Sequence, residues 1–285
     1  VQESTQQLPY LLRLLDDEEP AVREVVTTEL ANYGGDLSDQ IAGLGIDLSG
    51  KDRALLSEVL RPARRDALRE IWFTPSKALL SPDGDWDLFE ALLRMISDYL
   101  HDGISLRASL SDSLDQLAEE AEQEGIDDPL VLASWLFDGE RFLPNRDDYY
   151  DPANSDLANV LETGKGNPLS LCLVLILVAQ RRKLPIFGCN YPGHFLCWLD
   201  TSSGPLVIDP YNKARTLAVK QIMTNNPGLS AASRDSLGAP ARQADMLRRL
   251  LSNLAHSFTK MDRPDDLLLV QELADSLDDL DASII

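Results

Sequence analysis

The sequence predicts an α+β protein, mostly helical, in which a buried central helix packs on a small antiparallel sheet between flanking helical segments. The central helix is the clearest feature. Asn167 is a good helix cap, Pro168 suits a first helical position, and an unbroken apolar run follows from Leu171 to Ala179. A helix apolar on every side is one buried on every side. Three short segments rich in apolar and aromatic residues come next: Ile186–Asn190, Gly193–Leu199 and Pro205–Asp209. The turn Thr201-Ser202-Ser203-Gly204 joins the last two as a hairpin. Abundant Leu and an aromatic content of only 6% bias the remainder toward helix.

Residues 6–73 read as helices. Leu11, Leu12, Leu14 and Leu15 form a stripe that ends at the acidic turn Asp16–Glu19, and Pro20 opens a second helix lined by Val22, Val25, Val26 and Leu30. Gly34-Gly35 is expected to stop it. This helix–turn–Pro–Val–Arg pattern resembles one HEAT-type repeat, so residues 1–75 are expected to form a HEAT-like helical segment. The basic stretch Arg61–Arg69 carries Ala and Leu at helical spacing and reads as a solvated helix face. Pro75, Pro82 and Gly84 mark a connection. Helical periodicity resumes at Trp86 and runs, with breaks, to Phe137. Gly139–Asn154 reads as an ordered loop and Leu157–Leu161 as a short helix. Arg181, Arg182 and Lys183 complement the C-terminus of the central helix. Beyond Asn225-Asn226-Pro227-Gly228 the chain is expected to be loop to about Pro240. Two helices, near 242–260 and 264–277, then resemble a tetratricopeptide-like pair (240–280).

Charge bounds the partners. There are 47 Asp and Glu against 26 Lys and Arg, a formal charge of −21. Such a chain repels phosphate backbones and anionic lipid, so neither nucleic acid nor membrane is expected. No apolar run is long enough to span a bilayer, and the opening Val-Gln-Glu-Ser lacks the features of a signal peptide. With three cysteines, Cys172, Cys189 and Cys197, the expected compartment is the reducing cytoplasm.

Several ordered motifs carry a family resemblance. They are Gly139-Glu140-Arg141-Phe142, Tyr149-Tyr150-Asp151-Pro152, Gly166-Asn167-Pro168-Leu169-Ser170-Leu171, Asn190-Tyr191-Pro192-Gly193-His194-Phe195-Leu196 and Ile208-Asp209-Pro210-Tyr211-Asn212. Together with the C-terminal helical pair they resemble the SirB-type branch of the transglutaminase-like superfamily, a bacterial branch whose name suggests regulation. The resemblance implies a transglutaminase/papain-like core, here residues 85–225. Its catalytic members place a cysteine at the start of the buried helix, where the helix dipole lowers the thiol pKa. A histidine and an aspartate follow as general base and orienting carboxylate. His194 and Asp209 match those two positions, whereas the nucleophile position falls on Pro168.

No other residue stands in for the cysteine. Ser170 is two positions on, about 200° around the helix, and is expected to act as a capping partner. Cys172 shares the face but is one turn (about 5.4 Å) deeper, inside the apolar run, where a thiol behaves as a small hydrophobe. Cys189 is expected in the core. Cys197, three residues from His194, is expected on the opposite strand face. Cys189, His194 and Cys197 lack a fourth ligand, so no metal and no cofactor are expected. His101 and His256 have no identifiable partner in the sequence.

The expected function is a non-catalytic module that binds a protein or peptide. The expected site is His194 and Asp209, with Asn167, Ser170, Asn190, Tyr191 and Asn212 as binding residues. The rival is a hydrolase or amide-transfer enzyme. There His194 acts as base, Asp209 orients it, and Asn167, Ser170 and the helix N-terminus hold an oxyanion. A helical adaptor with a vestigial cleft is the third reading.

Overall fold

The computed structural model describes residues 2–72 and 77–282. The chain forms two compact units, residues 1–73 with 99–108, and residues 74–98 with 109–285. Pro75, expected in the first connection, lies outside the described residues. Among the described residues no helix is long and apolar enough to cross a membrane.

The first unit holds α1 (Gln2–Arg13), α2 (Pro20–Ala31), α3 (Ser38–Leu44) and α4 (Gly50–Ile71). Leu8, Leu12 and Leu15 meet Val26, Leu30, Leu37, Ile41, Leu56, Leu60 and Ile104 in one core. Fully burying each such side chain is worth about 1.5–3 kcal/mol. Pro20 opens α2 as expected, but the helix ends at Ala31, before Gly34-Gly35. The basic stretch is not wholly a solvated face. Arg64 is only 8% exposed. Its guanidinium donates to the Gly35 carbonyl at 3.2 Å, the Asp102 carbonyl at 2.9 Å and the Ser57 carbonyl at 3.1 Å. These three carbonyls of loop and helix, with the Ser57 hydroxyl, compensate the buried cation, and this long-range pairing has no periodic signature. His101 is also engaged, with Nε2 3.2 Å from Ser105 Oγ.

The second unit opens with a 3-10 turn (Lys77–Leu80), α5 (Trp86–Leu100, which runs on into the first unit), α6 (Leu110–Gln123) and α7 (Pro129–Phe137). Ser109 and Asp128 cap α6 and α7. The expected loop Gly139–Asn154 contains β1 (Leu143–Pro144), which pairs in parallel with β2 (Lys165–Gly166). Between them are a 3-10 turn (Pro152–Ser155) and α8 (Leu157–Thr163). The central helix, α9, is Pro168–Arg181, and every residue from Pro168 to Ala179 is buried.

Four antiparallel strands follow in the order β3 (Ile186–Cys189), β4 (Leu196–Leu199), β5 (Leu206–Asp209) and β6 (Arg215–Ala218). The register pairs Gly188 with Cys197, Cys197 with Ile208, and Asp209 with Arg215. One sheet face lies on α9. The other carries Cys189, Leu196 and Val207, which form a second core with Val219 and Leu237. That core is covered by α10 (Val219–Asn225) and α11 (Ala231–Gly238). Residues up to Pro240 are therefore not all loop: Ser230 caps α11, whose Leu237 is buried. Strand β6 was not legible either, since Arg215-Thr216-Leu217-Ala218 shows no clear alternation. The chain ends in α12 (Gln243–Lys260) and α13 (Pro264–Ala282), packed as a hairpin. The architecture is α+β, with a buried helix on a small antiparallel sheet and helices around it.

Candidate functional site

The site begins at the N-terminus of α9. Asn167 Oδ1 accepts from the Ser170 N–H at 2.9 Å, and Ser170 Oγ accepts from the Asn167 N–H at 2.9 Å. This is a reciprocal capping box, with serine in the position usually held by Glu or Gln. Asn167 Nδ2 also donates to Ser155 Oγ at 3.1 Å. Asn167, Pro168 and Ser170 are all buried. Of the first-turn donors, proline has none, and Ser170 donates to the cap. Leu171 donates to the Asn167 carbonyl at 3.1 Å. The remaining N–H belongs to Leu169, which is buried.

The dyad is built by a turn and a strand end. Tyr191-Pro192-Gly193-His194 forms a four-residue turn in which the His194 N–H donates to the Tyr191 carbonyl at 3.3 Å and Gly193 has φ +80°. Proline followed by a left-handed glycine is the type II arrangement. His194 therefore precedes the strand expected to begin at Gly193, because β4 starts only at Leu196. From that turn the His194 imidazole reaches Asp209, the last residue of β5, with Nε2 to Oδ1 at 2.9 Å. Asn212 Nδ2 donates to the other carboxylate oxygen at 2.7 Å. Burial pushes the Asp209 carboxyl up, but the hydrogen bonds from His194 and Asn212 outweigh it and hold the group below its usual value. The His194 side chain is 33% exposed and that of Asp209 15%.

Tyr211 meets the imidazole edge-to-face at 6.0 Å, and the Arg146 guanidinium lies 5.5 Å from the Tyr211 ring centroid. Sequence reasoning did not single out either residue for the site. Tyr211 had a signal, being two residues after Asp209 in a Pro-opened turn. Arg146 had none, because its approach depends on the distant loop before α8. Asn190 and Tyr191 flank the turn, but Asn190 Oδ1 is buried without a partner among the described residues and Tyr191 packs on the second core.

The three cysteines are free and buried. Cys172 Sγ lies 3.6 Å from the Phe195 carbonyl, and Cys197 Sγ 3.7 Å from the Cys172 carbonyl. Burial first, and Cys197 second, push the Cys172 thiol well up. Cys189 turns to the other face, toward the Ser236 carbonyl, and burial raises it to about 12. Among the described residues no group of His, Cys, Asp and Glu could hold a metal ion.

Helix α9 packs against β4 and the Pro210–Asn212 turn, which flank the His–Asp pair, and half of the chain carries the matching family pattern: residues 108–252 match the family model described as the transglutaminase-like superfamily. The chain belongs to the transglutaminase-like superfamily. The match extends into α12, the first helix of the C-terminal pair. A UPF0162 protein of Xylella fastidiosa strain Temecula1 is 35% identical over 193 residues, covering 65% of this chain and 62% of its own length. The UPF0162 protein PA3419 of Pseudomonas aeruginosa is 29% identical over 115 residues, 40% of this chain and 42% of that protein. F-box only protein 21 of Mus musculus is 33% identical over 94 residues, 30% of this chain but 15% of that protein. The chain spans 62% of the length of the Xylella proteins it matches. No solved structure matches it.

Proposed function

We propose that this chain is a non-catalytic member of the superfamily that binds a protein or peptide segment. Its contact surface centres on His194, Asp209 and Asn212, with Asn190 and Tyr191 at the turn, and Asn167 and Ser170 hold the adjoining helix end. The observation that carries this reading is the buried capping box around Pro168. Where a nucleophile would stand there is a proline ring, and the neighbouring polar groups bond to one another. Cys172 is no substitute, because a buried thiol with a raised pKa is not a thiolate near neutral pH. The partly exposed dyad offers a charged, hydrogen-bonding surface suited to a peptide. The HEAT-like and tetratricopeptide-like helical pairs add surfaces of a kind used for protein contact. Three free cysteines fit a reducing compartment such as the cytoplasm.

The His194–Asp209 bond favours a second reading, a hydrolase or amide-transfer enzyme with His194 as base. A general base alone contributes about 10²–10⁴-fold, which is small against the barrier to amide chemistry. The test screens the purified protein for ester, amide and transamidation turnover beside His194→Ala, and exposes both to a small alkylating reagent near neutral pH. We expect no turnover and no rapid labelling under native conditions. Turnover that disappears in His194→Ala, or fast stoichiometric labelling of Cys172, moves the chain to the enzyme reading.

A further inference from the structure

A second polar site lies on α12, apart from the dyad hydrogen bonds and bounded by Asn167 of the capping box, which it shares with the proposed contact surface. Arg249, Ser252, Asn253 and His256 stand at i, i+3, i+4 and i+7 and share one helix face. With Tyr149 and Tyr150 of the loop before α8, Asn167 and Ser257 they line a cavity of about 330 Å³. The two tyrosine rings meet edge-to-face at 5.3 Å, and Tyr150 packs on the His256 ring at 5.1 Å. Lys260 Nζ, one further turn along α12, lies 5.7 Å from the centroid of Tyr150.

The unusual member is Arg249. Its neighbours are paired: Arg242 with Asp245, and Arg248 with Asp245 and Asp278. The half-buried Arg249 makes no hydrogen bond or ion pair among the described residues. That is unexpected in a chain with 47 acidic and 26 basic residues, because a cation partly withdrawn from water is ordinarily compensated by an anion or by hydrogen-bond acceptors. None of the residues lining the cavity is acidic. Asp151, next to Tyr150 in sequence, instead turns Oδ1 to the Ala153 N–H at 2.9 Å.

We propose that this cavity binds a single carboxylate, gripped by the Arg249 guanidinium with the Ser252 hydroxyl and Asn253 amide donating beside it, and with the body of the ligand against Tyr149 and Tyr150. One guanidinium with neutral donors matches one negative charge in a two-pronged geometry. The chain's charge of −21 acts against polyanions. The volume is at the small end of ligand pockets, which run from about 300 to 1,000 Å³. It has room for a carboxylate and a short apolar body. Two sources share this chemistry, a peptide C-terminus and a free small carboxylic acid. The site does not depend on whether the dyad turns over.

The test is calorimetric titration of the full chain at low salt, about 50 mM, where ion pairing is little screened. The probes are N-acetylleucine, its amide, and a leucine-terminated tetrapeptide with a free or an amidated C-terminus. At least one acid probe should saturate. Its amide, and the Arg249→Gln protein, should bind it at least about tenfold more weakly. Arg249→Lys should fall between, keeping the charge and losing the fork. An unchanged thermal melt shows that the variants are folded. Equal affinity of N-acetylleucine and the tetrapeptide acid identifies a small carboxylic acid as sufficient, and a tetrapeptide at least about tenfold tighter identifies a chain terminus. Acid and amide binding alike, Arg249→Gln binding as tightly as the parent, or no saturation by either acid would overturn the proposal.

Discussion

Asp209 is the residue on which the candidate site turns. It receives His194 on one oxygen and Asn212 on the other, and its folded-state pKa lies below the ordinary carboxylate value. A depressed folded-state pKa contributes stability that is complete above the unfolded value, about 3.9 for Asp. The contribution is lost as pH falls through the lower folded-state value. Asp209→Asn should therefore lose stability at neutral pH and show a shallower acid limb than the parent below about pH 4. Urea midpoints measured through an acid series check this, and identical acid slopes would show that the carboxylate is not held by these bonds. The pair itself was legible: a histidine and an aspartate bracketing a hairpin, in a recognisable motif order. The turn that presents His194 was written as Pro192-Gly193 but read as strand, because the apolar run after it masks the boundary.

At the scale of an element, α9 depends on its cap. Asn167→Ala leaves the Ser170 N–H and the Ser155 hydroxyl without a buried partner. It should destabilise the protein by about 1–2 kcal/mol in urea unfolding. Ser170→Ala removes the reciprocal half, and the double variant should lose less than the sum, because the two side chains serve one motif. Additive losses would show that they act separately. The element was readable in full, cap and proline included, since the signal is local. Helix α11 was not readable, because its eight residues carry little apolar periodicity and Leu237 becomes a core residue only when the sheet is beside it.

Over the whole molecule the excess of acid dominates. Arg181 pairs with Glu90 and Asp115, Arg182 with Glu122 and Asp127, and Arg141 with Glu120. Those pairs weaken with salt, but a surplus of 47 − 26 = 21 negative charges remains to repel itself. Raising monovalent salt from about 20 to about 300 mM shortens the screening length severalfold. The thermal midpoint should then rise. A falling midpoint in a salt series would mean that the specific pairs outweigh the self-repulsion.

What the sequence determined by itself is whatever arises from neighbours along the chain. Caps, the buried run of α9, the hairpin turn at Gly204 and the proline at the helix start follow from the conformational preferences of a few consecutive residues. The tertiary structure decided which polar groups meet. It buried Arg64 among carbonyls from three segments, closed Asn167 and Ser170 on each other beside Ser155, and set Arg146 near Tyr211. It also made a cavity of one face of α12 and a loop a hundred residues away, with no carboxylate paired to Arg249 among the described residues. Such meetings depend on distances fixed only when remote elements pack, because charge and hydrogen bonding act through space and leave no period in the chain.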